Sequence, residues 1–150
     1  MDRWGRLAEI LAPRGPDSPP PILMSDALSS NTPTPLSEYY KSLCNTHARR
    51  EWVDVIEHFP DKVPGVLEPY AQIWIHDDHC QDQHYSASQR LDYHRQHSLP
   101  VMSELHDWGQ QLDTGETEPN SGLGKAIAYF LRHFEALTAF CRWPGVPVDN

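Results

Sequence analysis

Apolar positions recur along this chain mostly at helical spacing. Val66, Tyr70, Ile73 and Trp74 stand at i, i+4, i+7 and i+8 and predict a helix over 65–81. Tyr40, Leu43, His47, Trp52, Val55, Ile56 and Phe59 predict another over 36–59, which Pro60 stops. Ser86-Ala-Ser-Gln89 reads as a capping box opening a helix to about His97. Ser98 with Pro100 reads as a second N-cap, with proline in the first turn, ahead of Met102, Leu105, Trp108 and Leu112. Leu123, Ile127, Phe130, Leu131, Phe134, Leu137 and Phe140 form the longest stripe and predict one helix over 121–141, ended by Trp143-Pro144-Gly145. Near the start, Trp4, Leu7 and Leu11 share a face of a short helix over 3–12.

One apolar run differs. Ile22-Leu23-Met24 follows the Pro-rich connector Pro13 to Pro21 and reads as a short buried strand, with Asp26 just past its end. Asn31 to Pro35 and Gly115 to Pro119 read as loops. The pattern is therefore one strand and about five helices, and a lone strand is not stable without partners. On pattern alone its sheet is expected before Met1, which makes the chain part of something larger.

Composition changes the picture in three ways. Apolar residues make up 39 % of the 150, and there are fourteen prolines, so the expected core is modest. Formal charge is −9 with nine histidines counted neutral, which argues against broad non-specific DNA binding, since that affinity comes from Lys and Arg neutralising phosphates. Cys44, Cys80 and Cys141 are odd in number and widely spaced, which suggests no disulfide framework and points to a reducing, cytoplasmic setting. No apolar run approaches the roughly 18 residues of a membrane span, and the first residues lack the apolar stretch of a secretory signal.

Several residues could carry chemistry. Asp26 at a strand end is placed to bind metal, or else caps the turn Asp26-Ala-Leu-Ser29. Cys44-Asn-Thr-His47 is a C-x-x-H expected on one helical face, either half of a zinc site or a buried Cys beside a satisfied His. No second pair at finger spacing accompanies it. His76-Asp-Asp-His79-Cys80 with His84 is rich in ligand types, yet such a run is also an ordinary solvated helix end. Arg49 and Arg50 can grip a phosphate or form a solvated face.

Taken together, four segments resemble the insertion sequence 66 family of DDE transposases. Pro20-Pro-Ile-Leu-Met-Ser-Asp26-Ala-Leu-Ser-Ser-Asn31 resembles that family's second-aspartate motif. Leu43-Cys44-Asn-Thr-His47-Ala-Arg49-Arg50 resembles its Cys-x-x-His-x-Arg-Arg segment. Glu118-Pro119-Asn120-Ser121-Gly122-Leu-Gly124-Lys125-Ala126-Ile127-Ala-Tyr129 resembles its Pro-x-Ser-x-Leu-x-x-Ala-Ile-x-Tyr segment, and Val146-Pro-Val-Asp149-Asn150 resembles the start of its Asp-Asn-Asn-x-x-Glu-Arg motif.

The resemblance implies an α+β, mostly helical part of a ribonuclease-H-like core, with one catalytic strand followed by a helical segment. Residues 1–18 would be a short helix and Pro-rich connector, and 19–150 a partial catalytic domain. It implies cutting and joining of transposon-end DNA by two Mg²⁺ ions about 3.5–4 Å apart, held by carboxylates. Asp26 then corresponds to the second catalytic Asp and a metal ligand. The first Asp is expected upstream of Met1 and the Glu beyond Asn150, so the chain alone is expected to be inactive. Cys44 and His47 would be structural, and Arg49, Arg50 and Lys125 would be candidates for DNA contact. A homo-oligomer is compatible with this reading, and a membrane partner is not. The alternatives from other classes are a helical interaction module and a small Cys/His metal-binding protein.

Overall fold

The computed structural model describes residues 3–27, 38–113 and 117–150. In order, these form α1 (Arg3–Leu11), β1 (Ile22–Ser25), β2 (Tyr40–Leu43), α2 (Asn45–Val53), α3 (Pro64–Asp82), α4 (Ala87–Asp113), α5 (Gly122–Arg132), α6 (Phe134–Leu137) and a 3-10 turn at Ala139–Cys141. The expected loop Asn31 to Pro35 lies outside the described residues, as do Gly115 and Glu116 of the second loop. The architecture is α+β and mostly helical.

The first correction concerns residues 36–59, expected as one helix. Within them Tyr40–Leu43 is a strand, and the helix begins only at Asn45. β2 lies parallel to β1 with Ile22 opposite Tyr40 and Ser25 opposite Leu43. Bonds from Tyr40 N to Pro21 O (2.8 Å) and from Cys44 N to Ser25 O (3.2 Å) extend the ladder at both ends. The three-residue spacing of Tyr40 and Leu43 suits a helix equally well. Pairing with β1 decides for the strand, because it satisfies backbone groups on both segments. β1 thus has one partner strand within the chain, so the strand is not alone as the pattern suggested.

α3 begins with Pro64 at its first position, where a missing N–H costs nothing. The capping box holds at α4: Ser86 N donates to Gln89 Oε1 (2.9 Å) and Gln89 N to Ser86 Oγ (3.2 Å). The second N-cap expected at Ser98 does not exist, since α4 runs through Pro100 unbroken to Asp113. An interior proline costs roughly 3 kcal/mol. What offsets it is a continuous seam of Leu91, His94, Ser98, Met102, Leu105 and Leu112, all buried. The helix expected over 121–141 breaks at His133 (φ −106°, ψ 11°), and Thr138 Oγ1 bonds back to Phe134 O at 2.8 Å. The break turns Leu137, Ala139 and Phe140 into the core near β2 and α4.

Trp52, Tyr70 and Phe130 meet edge-on or tilted at the centre, with Phe130 6.2 Å from Trp52 and 6.5 Å from Tyr70. Burial of Phe130 alone contributes roughly 1.5–3 kcal/mol. The apolar faces of α2 and α5 therefore cover one another.

The segment before α5 folds over that helix's first turn. Ser121 is the N-cap, accepting from Gly124 N at 3.0 Å and donating to Glu118 O at 2.7 Å. A Cβ at Gly124 would collide with the backbone carbonyl oxygens of Glu118 and Pro119. Gly124→Ala is expected to cost about 1–3 kcal/mol by overpacking, read as a Tm drop of several degrees. A Tm equal to wild type would mean that the cap does not hold this closure in solution.

At the other end, Gly145 takes φ 81° in the Pro144-Gly145 turn, a conformation glycine adopts without strain. That turn returns Val146 and Val148 to the core. Buried Asn45 donates through Nδ2 to Leu137 O and Val148 O, both at 2.9 Å, so it ties the start of α2 to the chain's last residues.

Candidate functional site

Asp26 leaves the end of β1 half-buried, with 27 % of its side chain exposed. Across from it, the first turn of α2 presents His47, whose Nε2 stands 4.0 Å from Asp26 Oδ2. These two open onto a cleft of about 360 Å³ that Glu51, Tyr129, Arg132 and His133 also line. Helical geometry explains the set. His47 and Glu51 are one turn apart on α2, and Arg132 and the cap residue His133 each follow Tyr129 by about one turn where α5 ends.

The cleft perturbs its own groups. Burial first, then the carboxylates of Glu51 and Asp26, push the Tyr129 hydroxyl up to about 12, so it remains a neutral donor. Burial, then the charges of Lys41 and Arg132, hold His133 below the usual histidine range.

The C-x-x-H pair separates, contrary to the shared helical face expected for it. Cys44 stands before α2 with extended backbone (φ −71°, ψ 119°) and is buried, whereas 46 % of the His47 side chain is exposed beside Asp26. Arg49, Arg50 and Lys125 are all exposed, and none of them lines the cleft. The basic residues that do, Arg132 and the imidazole His133, went unnoticed in the sequence because they read as the middle of one long apolar helix. Asp149 is held by Thr46 Oγ1 and Trp74 Nε1, each at 2.9 Å, which joins the last motif to the N-terminal turn of α2.

The His76–His84 run resolves differently. His79 stacks on Tyr93 (4.8 Å), and His84 lies beyond α3 at φ 53°. Asp77 enters a buried network instead. It accepts from His94 Nε2 at 2.9 Å and Arg90 Nε at 2.7 Å, while Ser98 Oγ lies 2.7 Å from His94 Nδ1 and 2.9 Å from His76 Nδ1. The carboxylate only accepts, so His94 Nε2 carries a proton, and the single hydroxyl proton of Ser98 serves one imidazole at a time. Asp77, His94 and Ser98 have the order of a hydrolytic triad, but His94 and Ser98 are fully buried and no substrate reaches them. The network joins α3 to α4. Among the described residues, no three His, Cys, Asp or Glu side chains gather to hold a metal ion, and no helix is long and apolar enough to cross a membrane.

An acid at the end of a parallel strand pair, opening beside an imidazole onto a cleft, is the local architecture. The model of the transposase IS66 family matches residues 14–150, and the chain belongs to that family. It is also similar to the "Uncharacterized protein y4jD" of Sinorhizobium fredii (strain NBRC 101917 / NGR234), at 30 % identity over 112 residues. That alignment takes in 73 % of this chain but spans only about a fifth of the relative's length, 21 %. No solved structure matches.

Proposed function

We propose that this chain is the part of a DNA transposase catalytic core that carries the second catalytic aspartate, Asp26, within a ribonuclease-H-like arrangement. The observation that supports this is the convergence of separate family-like segments: Asp26 from the first, His47 from the second and Tyr129 from the third line one cleft. In the assembled enzyme Asp26 is a ligand for a divalent cation, Mg²⁺ by its hard oxygen donors, in the cleavage and joining of insertion-sequence ends. Asp26 fits as one ligand, being a partly exposed carboxylate on a rigid strand end. Glu51 adds a second carboxylate to the cleft, but the described residues do not make a complete ligand set. A divalent ion held there would supply Lewis-acid polarisation of a phosphoryl oxygen.

The chain's own residues position and shape. His47, half-exposed and 4.0 Å from Asp26, flanks the carboxylate on one side. Cys44 is structural: it seats the start of α2 as a small buried hydrophobe. Tyr129 offers a neutral hydroxyl donor, and Arg132 supplies positive charge for a phosphate. Arg49, Arg50 and Lys125 reach DNA only outside the cleft. The partner is transposon-end DNA in the cytoplasm.

The test grafts residues 19–150 in place of the matching segment of an active family transposase. The graft is expected to cleave transposon ends, and Asp26→Asn in it to abolish cleavage with circular dichroism unchanged. Equal cleavage by the Asn variant would overturn the assignment.

A further inference from the structure

A second cleft, of about 440 Å³, lies on the other side of Arg132 and His133 and shares both residues with the Asp26 cleft. Its far end is aromatic. Tyr40 of β2 stacks on Trp143 with ring centres 4.2 Å apart and planes within 13°. Tyr40 thus backs one face of Trp143, and 40 % of Trp143 stays exposed. Lys41 and Arg132 line the same cleft, against one acid, Glu135. His133 joins them in the lining, held low by burial first and then by the charges of Lys41 and Arg132. In a chain of net charge −9 with only 12 Lys and Arg, two cations against one acid in this second cleft are a local reversal of charge, while the acids Asp26 and Glu51 line the adjoining one.

We infer that the groove from Asp26 past Arg132 and Lys41 to Trp143 holds a short single-stranded DNA segment, its phosphates on Lys41 and Arg132 and one base on the free face of Trp143. Cations tracking a backbone, with an aromatic platform at the end, are what unpaired nucleic acid requires. Every base has a π-face, and the backbone supplies the negative charge. A duplex does not fit, because its bases already stack on one another and cannot reach the indole. The inference rests on the reading of Asp26 as a catalytic acid of a DNA enzyme, which gives a strand end reason to lie there.

The experiment uses the 150-residue chain and a fluorescein-labelled oligothymidylate of five nucleotides, with a hairpin duplex as the second probe. Intrinsic tryptophan fluorescence, with Trp143→Phe to separate the Trp143 part from the other four tryptophans, and probe anisotropy are followed at several salt concentrations. The expected result is binding of the single strand at about 1–100 µM in low salt, tighter than the duplex, with indole quenching. Trp143→Ala is expected to weaken it at least roughly fivefold, and Trp143→Phe to keep part of it. Lys41→Ala, on an exposed position of β2, is expected to shallow the slope of log K against log salt by about 0.7. Undiminished affinity in both Trp143→Ala and Lys41→Ala, duplex preference over single strand, or no binding at all would each overturn the subsite. The graft carrying Asp26→Asn reads the catalytic assignment separately, so a failed subsite with a cleavage-dead Asp26→Asn graft refutes the groove and leaves the transposase reading standing.

Discussion

Asp77→Ala is expected to lower the stability of the chain by roughly 3–5 kcal/mol, the usual consequence of removing one partner from a buried charged pair. Asp77 is buried between α3 and α4 and is the shared acceptor for Arg90 and His94, with Gln81 Nε2 on its second oxygen at 3.2 Å. Alanine leaves the fully buried imidazole N–H of His94 facing no acceptor and the partly exposed Arg90 guanidinium with only water beside it. Against a typical total of about 5–15 kcal/mol, the loss should appear as a Tm lower by roughly 6–20 °C in a chain of this size. A Tm within about 2 °C of wild type would show that the network stabilises nothing.

The same network sets an acid profile. Burial alone would raise the Asp77 carboxyl, but the hydrogen bond from His94 and the charge of Arg90 overcome it and hold the group below its ordinary 3.8. The unfolded chain then takes up this proton first as pH falls, so stability is lost as pH drops through about 3.8 toward the folded value. His76 lies below its ordinary 6.5 because of burial, then His97, His94 and His79 nearby. Here too the unfolded chain binds the proton first, and stability begins to fall as pH goes below 6.5. Two acid-side losses are therefore expected in denaturation measured against pH, with His133, also held low, adding to the upper one. Asp77→Ala should remove the lower one and leave the upper in place.

The purified 150-residue chain is expected to join no DNA ends with Mg²⁺ or Mn²⁺, in contrast to a graft into an active enzyme. Two divalent ions held about 3.5–4 Å apart need several carboxylate oxygens between and around them. The cleft offers Asp26 and Glu51, and no third ligating group joins them among the described residues. The absence of activity should be complete within the sensitivity of a strand-transfer gel, while Asp26→Asn leaves the thermal transition of the isolated chain nearly unchanged. Metal-dependent joining by the isolated chain, lost in Asp26→Asn, would show that these residues suffice after all.

Elements with strong local signals were legible in the sequence. The 3.6-residue period of Val66, Tyr70 and Ile73 fixes α3, because only a helix turns all three to one side. The Ser86–Gln89 capping box fixes the start of α4, since both of its bonds lie within four residues. The strand at Ile22–Ser25 and the position of Asp26 at its end follow from a Pro-bounded apolar run. The order of four motif-like segments was enough to point to the family that the match over 14–150 shows.

Tertiary structure decided the rest. Residues 40–43 fit either period, and only the ladder to β1 makes them a strand. Pro100 reads as a helix start until α3 and α5 bury the seam that carries α4 through it. His133 reads as the middle of a helix, and the break there follows from packing of Leu137 and Phe140 against distant elements. The cleft belongs to this second class. His47 meets Asp26, and Arg132 joins Lys41 and Trp143, across sequence separations that no local pattern encodes, because those approaches are set by which faces the core leaves outside.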